Sequence, residues 1–95
     1  MEITVRIFFS FRRKLDTEKD DLKLELERGS TVLDALKELV KSYPQLKGEV
    51  LDGSDKLRRF IQVRLNQEGV EHLSGLKTEL SPDDDLLILP KLGGG

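Results

Sequence analysis

The sequence predicts an α+β fold, a mixed sheet of four to five strands with one main helix packed across it. Three observations predict it. Two early segments alternate polar and apolar residues with period two, one later segment repeats apolar residues at helical spacing, and the last apolar run has no polar face. With 95 residues, 37% of them hydrophobic, there is material for one modest core. The expected organisation is one domain over 1–90 and a tail over 91–95.

From Glu2 to Phe9, Ile3, Val5, Ile7 and Phe9 share one face, and Glu2, Thr4, Arg6 and Phe8 the other. That is a half-buried strand. Ser10 to Asp20 is polar and reads as a hairpin connection, after which Leu22, Leu24 and Leu26 alternate with Lys23, Glu25 and Glu27 as an antiparallel partner. Ser30 or Thr31 can cap a helix, and with Thr31 as cap Asp34 falls at the third helical position, near the positive end of the dipole. Val32, Leu33, Leu36, Leu39 and Val40 then form its apolar stripe, and Pro44 ends it around Ser42 or Tyr43.

Leu46, Val50 and Leu51 are expected in a short helical turn, and 52–55 (Asp-Gly-Ser-Asp) in a turn before a strand from Phe60 to Leu65. Asn66 to Gly69 reads as the next turn, with Val70 beginning a short partner strand and Leu73, Leu76 and Leu80 adding buried contacts. After Ser81 to Asp85 comes Leu86 to Leu89, apolar on both faces. Such a strand belongs inside a sheet, covered on both sides or nearly so, and here beside the first strand. Pro90 removes a ladder donor, so the chain is expected to leave the sheet there.

Composition excludes several chemistries. Without cysteine there is no disulfide, thiolate nucleophile or thiol-ligated metal site, and a single histidine, His72, leaves no basis for a His-rich centre. No metal and no stably bound cofactor are expected. A net charge of −2 gives no field favouring nucleic acid or an anionic membrane. No apolar run approaches the ~20 residues of a spanning helix, and the opening residues do not read as a secretory leader, so a cytoplasmic setting is expected. Arg58, Arg59 and Arg64 lack an aromatic stacking platform, and the run 83–85 of aspartates lacks the alternating spacing of a calcium loop.

The informative residues are the last ones, Pro90-Lys91-Leu92-Gly93-Gly94-Gly95. Extended, they reach roughly 20 Å from the sheet, enough to enter another protein's active site. A free carboxylate is a poor electrophile, and activation as an acyl-adenylate cures that. Glycines let the backbone approach closely inside a narrow channel.

Arg6-Ile7-Phe8-Phe9-Ser10-Phe11-Arg12-Arg13, Val63-Arg64-Leu65-Asn66-Gln67, the 81–90 segment and the glycine end together resemble the β-grasp (ubiquitin-like) sulfur carriers. The resemblance covers most of the chain and is nearest to the small subunit of molybdopterin synthase. It implies a non-catalytic carrier, not an enzyme by itself. Gly95 would be adenylated by a ubiquitin-activating-like adenylyltransferase that uses ATP, and a sulfur donor would convert it to a thiocarboxylate. The tail would then enter the large subunit of molybdopterin synthase and give its sulfur to the molybdopterin precursor. Gly94 would supply clearance in the partner's channel, and Phe8, Arg13, Leu87, Leu89, Pro90, Leu92 and Gly93 would contact partners. The same activated end also suits a protein modifier joined to target lysines, or a sulfur carrier for tRNA thiolation. A plain interaction module with an incidental tail is the third possibility. The chain departs from the family in having Asp83 where a glycine is usual, and Ile88 and Leu89 where aromatic residues are common. Asp tolerates a left-handed backbone better than most residues, so the turn is expected to survive.

Overall fold

The computed structural model describes residues 1–7 and 21–91; the expected hairpin connection and the end of the tail lie outside them. Strand β1 (Glu2–Ile7) pairs antiparallel with β2 (Asp21–Glu25), helix α1 (Val32–Ser42) follows, and β3 (Ile61–Leu65), β4 (Glu68–Gly69) and β5 (Asp85–Pro90) complete a five-stranded sheet in the order β2-β1-β5-β3-β4. The last strand is inserted beside the first, as its composition predicts, running parallel to β1 and antiparallel to β3.

The alternations place the core. Ile3, Val5 and Ile7 of β1, Leu22 and Leu24 of β2, and Ile61, Val63 and Leu65 of β3 are all buried on the face that receives α1. From the helix come Val32, Ala35, Leu36 and Leu39. Each fully buried Leu, Ile or Val contributes about 1.5–3 kcal/mol, so burial of the helix stripe is the main anchor of α1. The β1–β2 ladder extends one step beyond the strands, because Leu26 N–H donates to Met1 O at 2.7 Å and the amino terminus donates to Leu26 O at 2.6 Å.

Thr31 is the helix cap. Its Oγ1 accepts from Asp34 N–H at 3.3 Å, while Asp34 Oδ2 accepts from Thr31 N–H at 2.9 Å, which closes a reciprocal capping box. The helix ends at Ser42, with Tyr43 as its C-cap and Pro44 opening a single 3-10 turn that buries Leu46. Val50 and Leu51 are buried beyond that turn, Leu51 in a bridge to Leu57, so only the first of the three residues expected in a helical turn lies in one.

Three further expectations need correction. The β3–β4 connection is tighter than the four residues allowed for it. Asn66 and Gln67 both take positive φ (51° and 75°), the geometry that reverses a twisted hairpin in the fewest residues, so Glu68 already pairs with Leu65. Val70 consequently begins a buried 3-10 turn and not the partner strand. Leu73 is 44% exposed, whereas Leu76 packs against the core and Leu80 is buried, its amide donating to Ser30 O. Finally, α1 covers only one face of β5: Leu86 and Ile88 are buried, but Leu87 and Leu89 remain half-buried on the opposite face.

Thr31→Ala removes the hydroxyl half of the capping box and is expected to lower unfolding stability by about 1 kcal/mol, read as an earlier urea midpoint with unchanged m. An unaltered midpoint would show that the bridge from Thr31 to Glu79 and the bond from Val32 N–H to Thr78 O already hold the helix start.

Candidate functional site

The site is built around the strand that leads into the glycine tail. Before it, Ser81 to Asp84 turns the chain. Asp83 has φ +67°, the left-handed conformation expected where the family has glycine, and its amide donates to Glu2 O at 2.9 Å. Asp84 Oδ2 accepts from Ser81 N–H at 2.8 Å, and Asp84 Oδ1 accepts from Asn66 Nδ2 at 2.9 Å. Asn66 Oδ1 in turn accepts from Asp85 N–H at 3.0 Å, and Asn66 N–H donates to Asp85 O at 2.9 Å. One asparagine thus ties the β3–β4 turn to the start of β5. Asp83 and Asp84 belong to the turn, while Asp85 already opens β5. No group of three or more potential metal ligands occurs among the described residues.

Register then decides which way β5 looks. Arg6, Leu87 and Arg64 stand in one row across β1, β5 and β3, and Leu89 stands opposite Gln62. The outer face therefore carries a half-buried leucine pair with arginines on both sides of Leu87. Arg6 Nε lies 3.4 Å from both Asp21 Oδ1 and Asp85 Oδ2, while Arg64 has no ion-pair partner among the described residues. Beside Arg6, Asp85 Oδ1 is buried with no hydrogen-bond partner among the described residues.

At the far end, Pro90 sits opposite Ile61 as the last residue of β5. The expectation that pairing stops there is corrected by one residue. Pro90 has no N–H to give, but Lys91 N–H donates to Phe60 O at 2.7 Å, so the ladder steps over the proline before the tail begins. Phe60 itself is 72% exposed. Sequence reasoning gives it no functional role, although an aromatic residue one place before the buried position of a strand beside the tail is a usable signal.

Of the predicted partner-contacting residues, Leu87 and Leu89 come together on the outer face, and Pro90 lies at its end on the opposite, helix-facing row. Phe8, Arg13, Leu92, Gly93, Gly94 and Gly95 lie outside the described residues. The arginines of the second half of the chain do not form one patch. Arg64 borders Leu87, while Arg58 and Arg59 line a separate concavity with Lys91, and Arg58 also lines a cleft beside α1. His72 is exposed, with Nε2 3.8 Å from Glu71 Oε1. The Glu71 carboxyl is held below the usual range, chiefly by its own backbone N–H and also by Gln62, His72 and Lys91.

The profile of the ThiS family matches residues 5–95. The chain is 27% identical to small archaeal modifier protein 3 of Haloferax volcanii over 95 residues, the whole of both chains. It is 32% identical to the sulfur carrier protein CysO of Mycobacterium tuberculosis over 69 residues, 70% of this chain and 74% of that one. Among solved structures it is similar to small archaeal modifier protein 1 of Methanosarcina acetivorans, at 32% identity and a TM-score of 0.81, with 99% of this chain and 96% of that chain covered. The mixed sheet with one helix across it is the ubiquitin-like β-grasp arrangement of that neighbour.

Asp83→Gly relieves the left-handed strain at no cost in contacts, since the Asp83 side chain makes no hydrogen bond or ion pair among the described residues. The expected gain is up to about 1 kcal/mol, seen as a higher urea midpoint. A loss of stability would mean that the carboxylate does something the geometry does not reveal.

Proposed function

The chain belongs to the ThiS family of β-grasp sulfur carriers, and on that premise we propose that it carries sulfur on the carboxyl of Gly95. A carboxylate oxygen of Gly95 attacks the α-phosphorus of ATP in a partner adenylyltransferase, and pyrophosphate leaves. Hydrosulfide-level sulfur from a donor then attacks the acyl carbon, and as the C–S bond forms the C–O bond to AMP breaks, leaving a thiocarboxylate. Where the donor is a persulfide, a partner's thiol must reduce the S–S bond of the acyl disulfide so formed. Every proton acceptor and donor for these steps belongs to the partners. This chain contributes a docking face and a leash. Gly94 keeps the backbone beside the reacting carbonyl free of a side chain, and Leu92 and Gly93 join it to Lys91.

The observation that carries this reading is the family match running to residue 95 together with a sheet whose central strand ends at Pro90, next to that tail. Leu87 and Leu89 supply the apolar contact for the adenylyltransferase and for a synthase subunit, with Phe8 and Arg13 adding to it. The recipient we propose is molybdopterin assembly, with this chain as the small subunit of the synthase. A second reading has specific support. Full-length similarity to a small archaeal modifier protein favours conjugation of Gly95 to target lysines after the same adenylation.

Intact mass of protein isolated from its own cells separates these fates. A shift equal to one oxygen replaced by sulfur supports the carrier, and glycine remnants on lysines of other proteins support the modifier. Neither product, with no effect of deleting Gly94-Gly95, would sink both. Leu87→Asp is expected to raise the KM for this chain in adenylyltransferase-catalysed ATP–pyrophosphate exchange about tenfold with kcat little changed, because it spoils docking and leaves the tail intact. An unchanged KM would remove the outer face from the docking surface.

A further inference from the structure

A cleft of 320 Å³ opens between α1 and the loop over 47–58, on the side of the molecule that packs the helix. No residue of β5 lines it. Its apolar wall is Val40 of α1 and the buried Leu51 of the loop, and Gly48 and Gly53 also line it. A concave apolar space of this size, with a few charged groups converging on it, is the usual form of a small-molecule site.

The charges at the rim are unequally committed. Asp52 Oδ1 accepts from Ser54 N–H at 2.7 Å and from Lys56 N–H at 3.1 Å, so this carboxylate holds the loop's own turn together. The Lys56 and Ser54 amides accordingly hold it below the usual carboxylate range, which keeps it ionised and occupied. Asp55 is paired with Lys37 at 3.1 Å, a bridge that staples the loop to the helix. Lys47 and Arg58 remain. Both are exposed, both line the cleft, and neither has an ion-pair partner among the described residues. Arg58 stands near enough to Asp52 for its charge to help lower that carboxyl, so the lining sets three cations, Lys37, Lys47 and Arg58, against two carboxylates, with Lys47 and Arg58 outside any ion pair among the described residues.

We propose that this cleft binds a compact carboxylate with an apolar body, the body against Val40 and Leu51 and the carboxylate between Lys47 and Arg58. Apolar area alone would not choose between ligands. The excess of cations does, because a guanidinium and an ammonium outside any ion pair, at the edge of a low-dielectric wall, favour an anion that can bury the rest of itself.

The test is a ¹⁵N NMR titration of the full chain with 3-phenylpropionate, with 3-phenylpropionamide as the uncharged isostere and propionate as the anion without the apolar body. Saturable shifts are expected with 3-phenylpropionate at amides of Lys37, Val40, Gly48, Leu51 and Arg58, with a Kd on the order of 1 mM or tighter. The amide and propionate are each expected to bind about tenfold more weakly or not at all. Lys47→Gln and Arg58→Gln alter exposed side chains without hydrogen-bonding partners among the described residues, so the fold is retained, and each is expected to weaken 3-phenylpropionate severalfold. The idea is overturned by any of four results: no saturation, shifts that map elsewhere, equal binding of the amide, or affinity unaffected by both substitutions. Repeating the titration on a chain lacking Gly94 and Gly95 keeps the result separate from the tail's chemistry, and undiminished binding is expected there.

Discussion

The structure depends on one constraint: the strand that comes last in the sequence must lie in the middle of the sheet. β5 takes parallel bonds from β1 and antiparallel bonds from β3, and neither neighbour would meet the other without it. Its buried residues, Leu86 and Ile88, sit at the centre of the core beneath α1. Because β5 is parallel to β1 and antiparallel to β3, the end of β1 and the beginning of β3 lie at the end of the sheet where the tail departs. The bond from Lys91 N–H to Phe60 O fixes that point of departure. A terminus anchored this way leaves from the centre of the hydrogen-bonded sheet, between two paired neighbours, and not from a frayed edge.

Much of this is legible in the sequence, for a physical reason in each case. α1 announces its start through Thr31 and Asp34 and its stop through Pro44, which are local effects independent of tertiary context. β1, β2 and β3 each have one polar face, and alternation reports which side is buried. β5 does not. A strand of Leu-Leu-Ile-Leu says that it is central but not which residues face outward, and only pairing with Arg6 and Arg64 reveals that Leu87 does. The β3–β4 turn is legible at Asn66, but its two-residue length is not, because Asn66-Gln67 lacks the glycine usual in so tight a reversal. Leu73 escapes sequence reasoning because a lone leucine in irregular chain carries no periodicity to say whether it is covered.

The body of the protein and its proposed chemistry divide cleanly. The two carboxyls with shifted titration among the described residues, Asp52 and Glu71, are both displaced downward, each chiefly by backbone amide donors. Such a shift makes a carboxylate a weaker base, the opposite of what a general acid–base catalyst near neutral pH requires. Asp52 holds the turn of its own loop, and Glu71 accepts from Gln62 of β3. In the proposed function the reacting carboxyl is instead the one at the chain's end, and the fold's work is mechanical: it offers the outer sheet face for recognition and holds the strand beneath the tail in place.

The sheet also separates the two surfaces for which uses are proposed. Leu87 and Leu89 lie on the outer face, while the cleft lined by Val40 and Leu51 lies on the helix side. No residue lines both the cleft and the Leu87 row, so a ligand in the cleft would alter docking at the sheet through an element that both surfaces share. The stretch from Arg58 to Ile61 is placed to be that element. Arg58 lines the cleft, Arg58 O accepts from Ile61 N–H at 3.0 Å, and Phe60 O holds Lys91 at the base of the tail. Four consecutive residues therefore join the cationic mouth of the cleft to the last hydrogen bond before the leash, and any influence of one surface on the other has a short, hydrogen-bonded route.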